Sequence, residues 1–600
     1  MEADGDRVPD RAEIPATETA EAARASQPTN TEIAAALDEL GDLYELDGAI
    51  VHRIVAYRNA AKAVREAPVS VTALARQGRA TELPGIGQTI QEKVLALADD
   101  GAIPAAVKLR AKFPPGLIQI TRLPGLGPKR ARRLFDELGV DSPESLRAAA
   151  EEQRIRALRG FGAKAEESIL AALSALGAGD ARARIVLDRA LAIADPFVEA
   201  LRAHPASERV ELAGSARRMT DSVKDLDVIA TASDPLALAT AATQLELVES
   251  AGTPGEAGVR LRTHTGIPVD LRIVAPDQFA NLLQHLTGSK QHNVALRESA
   301  VRKGLHVSEY GVLDDATSVT HRCATEEEVY EHLGMRYIEP ELRENRGELE
   351  AAIAGTLPRL VVASDLRGDL HCHTTASDGT ASIEEMAIAA REAGYEYLAI
   401  TDHSASFGFG DDLSPERLRE HVARIRAMSV DELELLAGSE VNILPDGTLD
   451  YEDELLAGLD WVIASVHSSF RMGASEMTAR ILRAIEHPLV DMIGHPSGRK
   501  IEQRAPYSFD IERVIEAAAR TGTMLEINAN PDRRDLNDVN ARAAAAAGVP
   551  IAINSDAHRV RGFEVARYGI ATARRAWLTA ADVLNTKPWA EVAALRPRNR

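Results

Sequence analysis

Cysteine is nearly absent. Only Cys323 and Cys372 occur in 600 residues, far apart in the chain. That excludes a disulfide framework and fits a reducing compartment. Long apolar runs are missing too: none approaches the roughly 20 residues that a bilayer span needs, and no signal-peptide pattern opens the chain. The expectation is a cytoplasmic protein with no membrane partner. Positive charge is also short overall, with 69 Lys and Arg against 91 Asp and Glu, a net −22. An acidic total ordinarily argues against a polyanionic partner. Its distribution argues otherwise, because residues 51–180 carry 20 Lys or Arg against 14 Asp or Glu, a local +6 in a chain whose remainder carries −28. A basic segment inside an acidic chain is the electrostatic footprint of nucleic-acid contact.

The chain is too long for one hydrophobic core, so several domains are expected. Residues 1–28 are rich in Ala, Glu and Thr, the composition of a disordered acidic tail. From Asn30 to Gly179 the pattern is helical, with Ile33, Leu37, Leu40 and Leu43 at helical spacing and short Gly/Pro turns between runs. Beyond Arg184 strands appear in ERVELAG, DLDVIAT and IPVDLRIV, with helices between them. Arg336 to Arg367 is charged and without tight turns, and reads as a linker holding one helix at most. Seven short apolar runs then lie between Gly368 and His558, and Arg596 to Arg600 reads as a frayed basic end.

LPGIG (Leu83–Gly87) and LPGLG (Leu123–Gly127) write the same hairpin twice between predicted helices. Gly85, Gly87, Gly125 and Gly127 permit tight turns whose free N–H groups point outward beside a helix N-terminus, and Lys129 follows the second copy. Such a turn holds a phosphate without reading its base. LRGFG (Leu158–Gly162) is a third version with Arg159 in the proline position. An ordinary helical corner is the alternative, but two copies in a basic segment favour phosphate. These turns resemble the helix-hairpin-helix motif of DNA-repair proteins. IVAYRNAAKAV (Ile54–Val64) and LPGIGQTIQEKV (Leu83–Val94) further resemble the amino-terminal lyase domain of family X DNA polymerases. That resemblance implies a Schiff-base role for Lys93, supported by Tyr57, if its pKa is lowered. Thr89 stands where the family often has a second lysine. A solvated, phosphate-binding Lys93 remains the alternative.

AGSARRMTDSVKDLDVIA (Ala213–Ala230) places Asp225 and Asp227 two apart on a strand, hence on one face. Asp270 lies in the alternating strand IPVDLRI. Three carboxylates on adjacent strands can clamp two Mg²⁺ ions, one activating a 3′-hydroxyl and one neutralising a triphosphate. Gly214 and Ser215 open a helix whose N–H groups can receive phosphate oxygens, and Arg218 can neutralise them. The pattern resembles the nucleotidyltransferase superfamily, and His285 to Gly311 narrows it to family X polymerases. By that resemblance Thr287 and Gly288 form the turn under the incoming sugar, and Asn293 meets the base edge in the minor groove. His285, Leu286 and Lys224 depart from the family pattern, which leaves discrimination against ribonucleotides open.

Six of the seven apolar runs end in metal-capable residues. They supply His371, His373 and Asp378, then His403, Glu440, His467, His495, and finally Asp556 with His558; MLEINAN passes through Glu526 without an obvious ligand. Ligands at the carboxyl ends of successive strands are how an α/β barrel gathers distant residues over one mouth. Nine ligands suit two or three ions, and clustered metals most often hydrolyse phosphoesters. Nitrogen and oxygen donors without thiolate favour Mn²⁺, Zn²⁺ or Fe²⁺, with Cys372 pointing away. Arg499 could bind a non-bridging oxygen, while His421 and His487 read as solvated. The order DLHCH, TDH, SE, VH, GHP, SDAH resembles the PHP (polymerase and histidinol phosphatase) domain, from which the nine ligands carry over.

The resemblances together imply a multidomain bacterial family X polymerase. Its parts are an all-α helix-hairpin-helix front end, an α+β nucleotidyltransferase palm and a distorted α/β barrel of about seven strands. The boundaries are a lyase-like domain at 29–110, a DNA-binding region at 111–180, the palm at 181–258, a nucleotide-selecting subdomain at 259–340, a linker at 341–366 and the PHP domain at 367–595. Expected partners are gapped or nicked DNA and deoxynucleoside triphosphates, with Mg²⁺ in the palm, Mn²⁺ or Zn²⁺ in the barrel, and a monomeric chain. A phosphatase of small phosphate esters with a DNA-tethering front end, or a non-catalytic DNA-end scaffold, are the alternatives.

Overall fold

The computed structural model describes residues 27–121, 123, 125–175, 184–406 and 413–599. The acidic tail read at 1–28 lies outside the described residues except for Gln27 and Pro28. Two compact units emerge. One holds the described residues up to 175 with Ala239–Gly255 and Val259–Val269; the other holds Arg184–Leu238, Glu256–Gly258 and the chain from Asp270 onward.

The first unit is helical where the periodicity places helices. Thr29 caps the helix Asn30–Leu46 by accepting from Glu32 N at 3.2 Å, and the Glu32 carboxylate answers Thr29 N at 2.8 Å. The spaced residues Ile33, Leu37, Leu40 and Leu43 are fully buried. All three hairpins fold alike. Gly85, Gly125 and Gly160 take φ of +86°, +81° and +86°, a region open to glycine. The apolar residue that follows each is buried, with Ile86, Leu126 and Phe161 donating to the carbonyls of Leu83, Leu123 and Leu158. Helices Gln88–Asp100, Pro128–Leu138 and Ala163–Ala175 start directly after.

In the second unit, Ser207–Leu212 pairs antiparallel with Leu226–Ala232, and the strand carrying Asp270 lies on the latter's other side. A three-stranded antiparallel sheet, Leu305–Ser308, Gly311–Asp314 and Val319–His321, follows with its own core around Leu296, Val329 and Tyr330. The stretch 341–366 departs from the linker reading. Leu342, Leu349, Ala352 and Leu360 belong to that same core, and the chain turns tightly at Asn345 and Gly347, both with positive φ. Leu349, Ala352 and Ile353 stand at helical spacing, so the apolar signal was in the sequence and the surrounding charge masked it.

From Gly368 to Asn554 seven parallel strands run in sequential order, Gly368–Cys372, Tyr397–Ile400, Glu434–Asn442, Trp461–Ser465, Met492–Ile493, Met524–Asn528 and Ile551–Asn554. A bridge from Cys372 to Ala557 brings the last run to the first, so the barrel is nearly closed. The Asp369 carboxylate seals that seam by accepting from His371 N and Ser555 N, both at 2.9 Å. Strand residues divide by parity. Leu398, Val462, Leu525 and Ile553 face the covering helices, whereas Tyr397, Leu436, Trp461, Met492, Met524 and Ala552 fill the barrel floor. The chain end is not frayed up to its last described residues. Arg596 and Arg598 grip the buried Asp491 at 3.0 and 3.2 Å.

Candidate active sites

Inward positions that are apolar at the floor give way to polar, metal-capable residues two to six positions later. Leu436 leads to Glu440, Met524 to Glu526, and Tyr397 through Thr401 to His403. Glu440 is the hub. Its Oε2 lies 3.3 Å from His371 Nε2, 3.5 Å from His373 Nε2 and 3.1 Å from His403 Nδ1; its Oε1 lies 3.3 Å from His467 Nε2 and 2.9 Å from His495 Nε2. Asp556 Oδ1 approaches His373 Nε2 at 3.2 Å, and Asp378 Oδ2 approaches His558 Nε2 at 3.2 Å. Among the described residues, three groups each bring one donor atom per residue within 4.8 Å of one another: His373, Asp378, His403 and His558; His371, His373 and Asp556; His403, Glu440 and His467.

These groups fit divalent metals. Donors about 2.1 Å from one ion stand roughly 3.0–3.4 Å apart, the spacing seen here. His371 Nε2, both ring nitrogens of His373 and His495 Nδ1 are buried without a well-directed hydrogen bond, which is costly unless a cation completes them. Cys372 turns outward as expected, its Sγ on Ala399 O at 3.3 Å.

Sequence reasoning missed the residues behind the ligands. Glu526 Oε1 receives His371 Nδ1 at 2.7 Å and its Oε2 accepts from His495 N at 2.7 Å, so it orients two ligands. A lone acid at an inward strand position was the available signal. His421, read as solvated, is buried and stands 2.9 Å from Asp402, which also holds Thr374 and Ser377 ahead of Asp378. His487 is half-buried against Asp453 at 3.1 Å. Arg499 does not face the cluster: it bonds Asp221 at 2.7 Å and Arg534 O. The cation at the cluster is Arg533, with Nε 3.8 Å from Asp556 Oδ2.

In the palm, Asp227 sits on the strand Leu226–Ala232, with Asp225 just before it and Asp270 on the neighbouring strand. Burial, then the charges of Asp225 and Asp270, push the Asp227 carboxyl up to about 6. The structure therefore brings the three acids within electrostatic reach, although they are not among the tight donor groups. Gly214 has φ +65°, and a Cβ there would lie 2.1 Å from Asp227 Oδ2, so glycine is what lets the carboxylate reach the short helix Gly214–Arg217, which includes Ser215. Arg218 is engaged otherwise than expected, on Glu344 at 3.0 Å and Thr287 O at 3.0 Å. Arg217 holds Thr287 Oγ1 at 2.8 Å and pairs with Glu326. Asn293 Nδ2 turns back to His285 O at 2.7 Å, and its Oδ1 occupies the space a Cβ at Gly288 would need.

In the first unit, Gly85, Gly87, Gly125, Gly127 and Lys129 are all exposed. Arg130 ties two hairpins together, donating to Gly125 O and Gly160 O at 2.9 Å each. Lys93 Nζ lies 6.0 Å from the centre of the buried Tyr57 ring, which stacks on Tyr44.

Family models match at residues 28–103 (Helix-hairpin-helix domain), 117–175 (SAM-like Helix-hairpin-helix tandem), 282–344 (DNA polymerase beta thumb) and 369–530 (PHP domain). Asp556 and His558 lie beyond the last match and join the cluster by geometry alone. A "Probable phosphatase" of Thermoanaerobacter sp. (strain X514) is 34% identical over 233 residues, 36% of this chain and 89% of that protein. The DNA polymerase/3'-5' exonuclease PolX of Bacillus subtilis (strain 168) is 37% identical over 568 residues, 94% of this chain and 98% of that protein. Likeness at that level and over that length establishes that the chain belongs to the PolX family of DNA polymerase/3'-5' exonucleases.

Proposed function

We propose that this protein fills short gaps in DNA by template-directed nucleotide addition and trims 3′ ends in its barrel by metal-dependent phosphodiester hydrolysis. The observation that carries the reading is the near full-length likeness to a polymerase/exonuclease, 94% of this chain. The exposed hairpins hold the phosphates of gapped or nicked DNA. Asp225, Asp227 and Asp270 would hold Mg²⁺, which when bound would supply charge to favour a deprotonated 3′-hydroxyl and screen the triphosphate. Gly214 and Ser215 line the phosphate end of that site, Thr287 and Gly288 the sugar end, and Asn293 keeps their turn in shape. Arg218 braces this turn through Thr287 O and Glu344.

In the barrel, the nine residues would hold two or three ions, Mn²⁺ or Zn²⁺ by their donor set, which would supply Lewis acidity and a nucleophile at neutral pH. Glu526 fixes the ring of His371 and the main chain at His495. Arg533, beside Asp556, takes the phosphate role first given to Arg499. No described helix is long and apolar enough to cross a membrane; we place the protein in the bacterial cytoplasm, as a monomer. The barrel's likeness to "Probable phosphatase" relatives keeps small phosphate esters as the second reading. One 3′-labelled gapped oligonucleotide with Mn²⁺ separates them: extension with nucleotides and shortening without them support the proposal. Binding without either reaction, alongside turnover of a small phosphate ester, would reject it.

A further inference from the structure

The loop Arg218–Ser222 joins the helix Gly214–Arg217 to the segment bearing Asp225 and Asp227, and so connects the two halves of the nucleotide site. Met219 within it takes φ +56°, a conformation that residues other than glycine rarely adopt without outside support. Thr220 Oγ1 bonds Ser215 O and Ser222 O, each at 3.1 Å. Barrel side chains hold the loop from its other side. Arg534, fully buried, donates from Nη2 to Met219 O at 2.9 Å and from Nη1 to Thr220 O at 3.0 Å, while its Nε bonds Thr572 Oγ1 at 2.8 Å. Its charge faces Asp221 at 3.5 Å, and the other Asp221 oxygen takes Arg499 at 2.7 Å. Arg575 donates to Arg218 O and to Glu344, each at 2.9 Å, and Glu344 also receives Arg218. Ser222 donates to Glu502 at 2.8 Å.

Burial pulls the Arg534 guanidinium down to about 10, which leaves it charged at neutral pH. A buried cation is a poor device for packing two surfaces together, since apolar residues do that at lower cost. A planar fork with three directed donors is a good device for fixing a backbone in position. The loop atoms it holds are carbonyls, which constrain the main chain leading to Asp225 and not one replaceable side chain.

We propose that Arg499, Arg534 and Arg575 are positioning residues of the polymerase site, through which the barrel sets the loop Arg218–Ser222 so that Asp225 and Asp227 converge with Asp270. The inference rests on the polymerase reading above. A displacement of about 1 Å at a reacting geometry costs on the order of 100-fold in rate; the palm fixes only the far end of this loop, where Ser222 pairs with Val186 and Asp221 O accepts from Leu187 N at 3.2 Å, and the barrel arginines hold the carbonyls of Arg218, Met219 and Thr220.

The test is nucleotide addition to a gapped oligonucleotide by the full chain, with Mg²⁺ titrated and Mn²⁺-dependent nucleotide release measured in the same preparations. For Arg534→Met we expect kcat of addition to fall about tenfold or more and the half-saturating Mg²⁺ to rise, with nucleotide KM and 3′-end release within about twofold of wild type. Asp221→Ala breaks the clasp from a more exposed position (35% exposed side chain) and should act in the same direction if Arg534→Met does not fold. Wild-type kcat and Mg²⁺ midpoint in the folded variants would overturn the proposal. So would equal losses of both activities with an unmoved Mg²⁺ midpoint, which is the signature of general destabilisation. Failure of the wild-type chain itself to extend the primer would refute the polymerase reading instead.

Discussion

Asp227 is held between burial and two like charges, and its carboxyl is pushed up to about 6 from 3.8. A folded-state pKa above the unfolded one means that protonation favours folding, an advantage complete below about pH 3.8 and lost as pH rises through about 6. Without metal, Asp227→Asn should therefore raise stability at pH 7–8 by something on the order of 2 kcal/mol, read as a higher Tm, with the gain vanishing towards pH 4. Mg²⁺ competes with the same proton, so the Mg²⁺ needed for half-maximal extension should climb as pH falls through about 6. Asp227→Ala should abolish nucleotide addition while gel-shift affinity for gapped DNA persists; extension at near wild-type rate would remove Asp227 from the site. The Lys93 ammonium lies 6.0 Å from the centre of the Tyr57 ring. Borohydride should trap the chain on a 5′-deoxyribose phosphate end, and Lys93→Ala should lose the adduct. Equal trapping by the variant would move the role elsewhere.

Among elements, the hairpins were the most legible. Two glycines around one apolar residue specify the turn, because the first must reach positive φ and the apolar side chain must anchor the turn in the core. Proline is dispensable, which is why LRGFG folds like its two relatives. Arg159 stands in its place, and its carbonyl accepts from Arg133 Nη1 at 2.8 Å. Since these turns present main-chain N–H groups and Lys or Arg, affinity for DNA should fall steeply with salt and hardly vary with sequence. Each neutralised phosphate contributes a slope of about −0.9 in log K against log salt, and Lys129→Ala should make the slope shallower by about that amount. A flat titration would show that the hairpins are only corners of the fold.

Across the whole molecule, the two chemistries draw on different side chains even though the barrel braces the palm. His371→Ala with His373→Ala removes donors from all the ions that share them, while Arg534 and its bonds to the palm loop stay in place. We expect Mn²⁺-dependent release of nucleotides from 3′ ends to fall by well over the roughly 10–100-fold that attaches even to outer ligand partners, with gap filling retained. Release at the wild-type rate would place the nuclease outside this barrel.

The sequence by itself determined what depends on local period and composition. Strand parity and position brought the candidate ligands into one cluster around Glu440, and the Asp-x-Asp spacing kept Asp225 within charge reach of Asp227. Tertiary structure alone decided what depends on which distant segments meet. Glu526 becomes a partner of His371 across 155 positions only because consecutive strands close into a barrel. Arg499 and Arg533 are both cations near the ligand strands, and nothing local says that the first turns to Asp221 and the second to Asp556. The charged stretch 341–366 looked like a tether because its acids and arginines are solvated in isolation. In the fold, Glu341 and Glu344 meet Arg574 and Arg575, and Arg346 meets Asp538. A charge pattern records how many ions a segment carries; only the packed chain decides which of them are paired, and therefore what they hold.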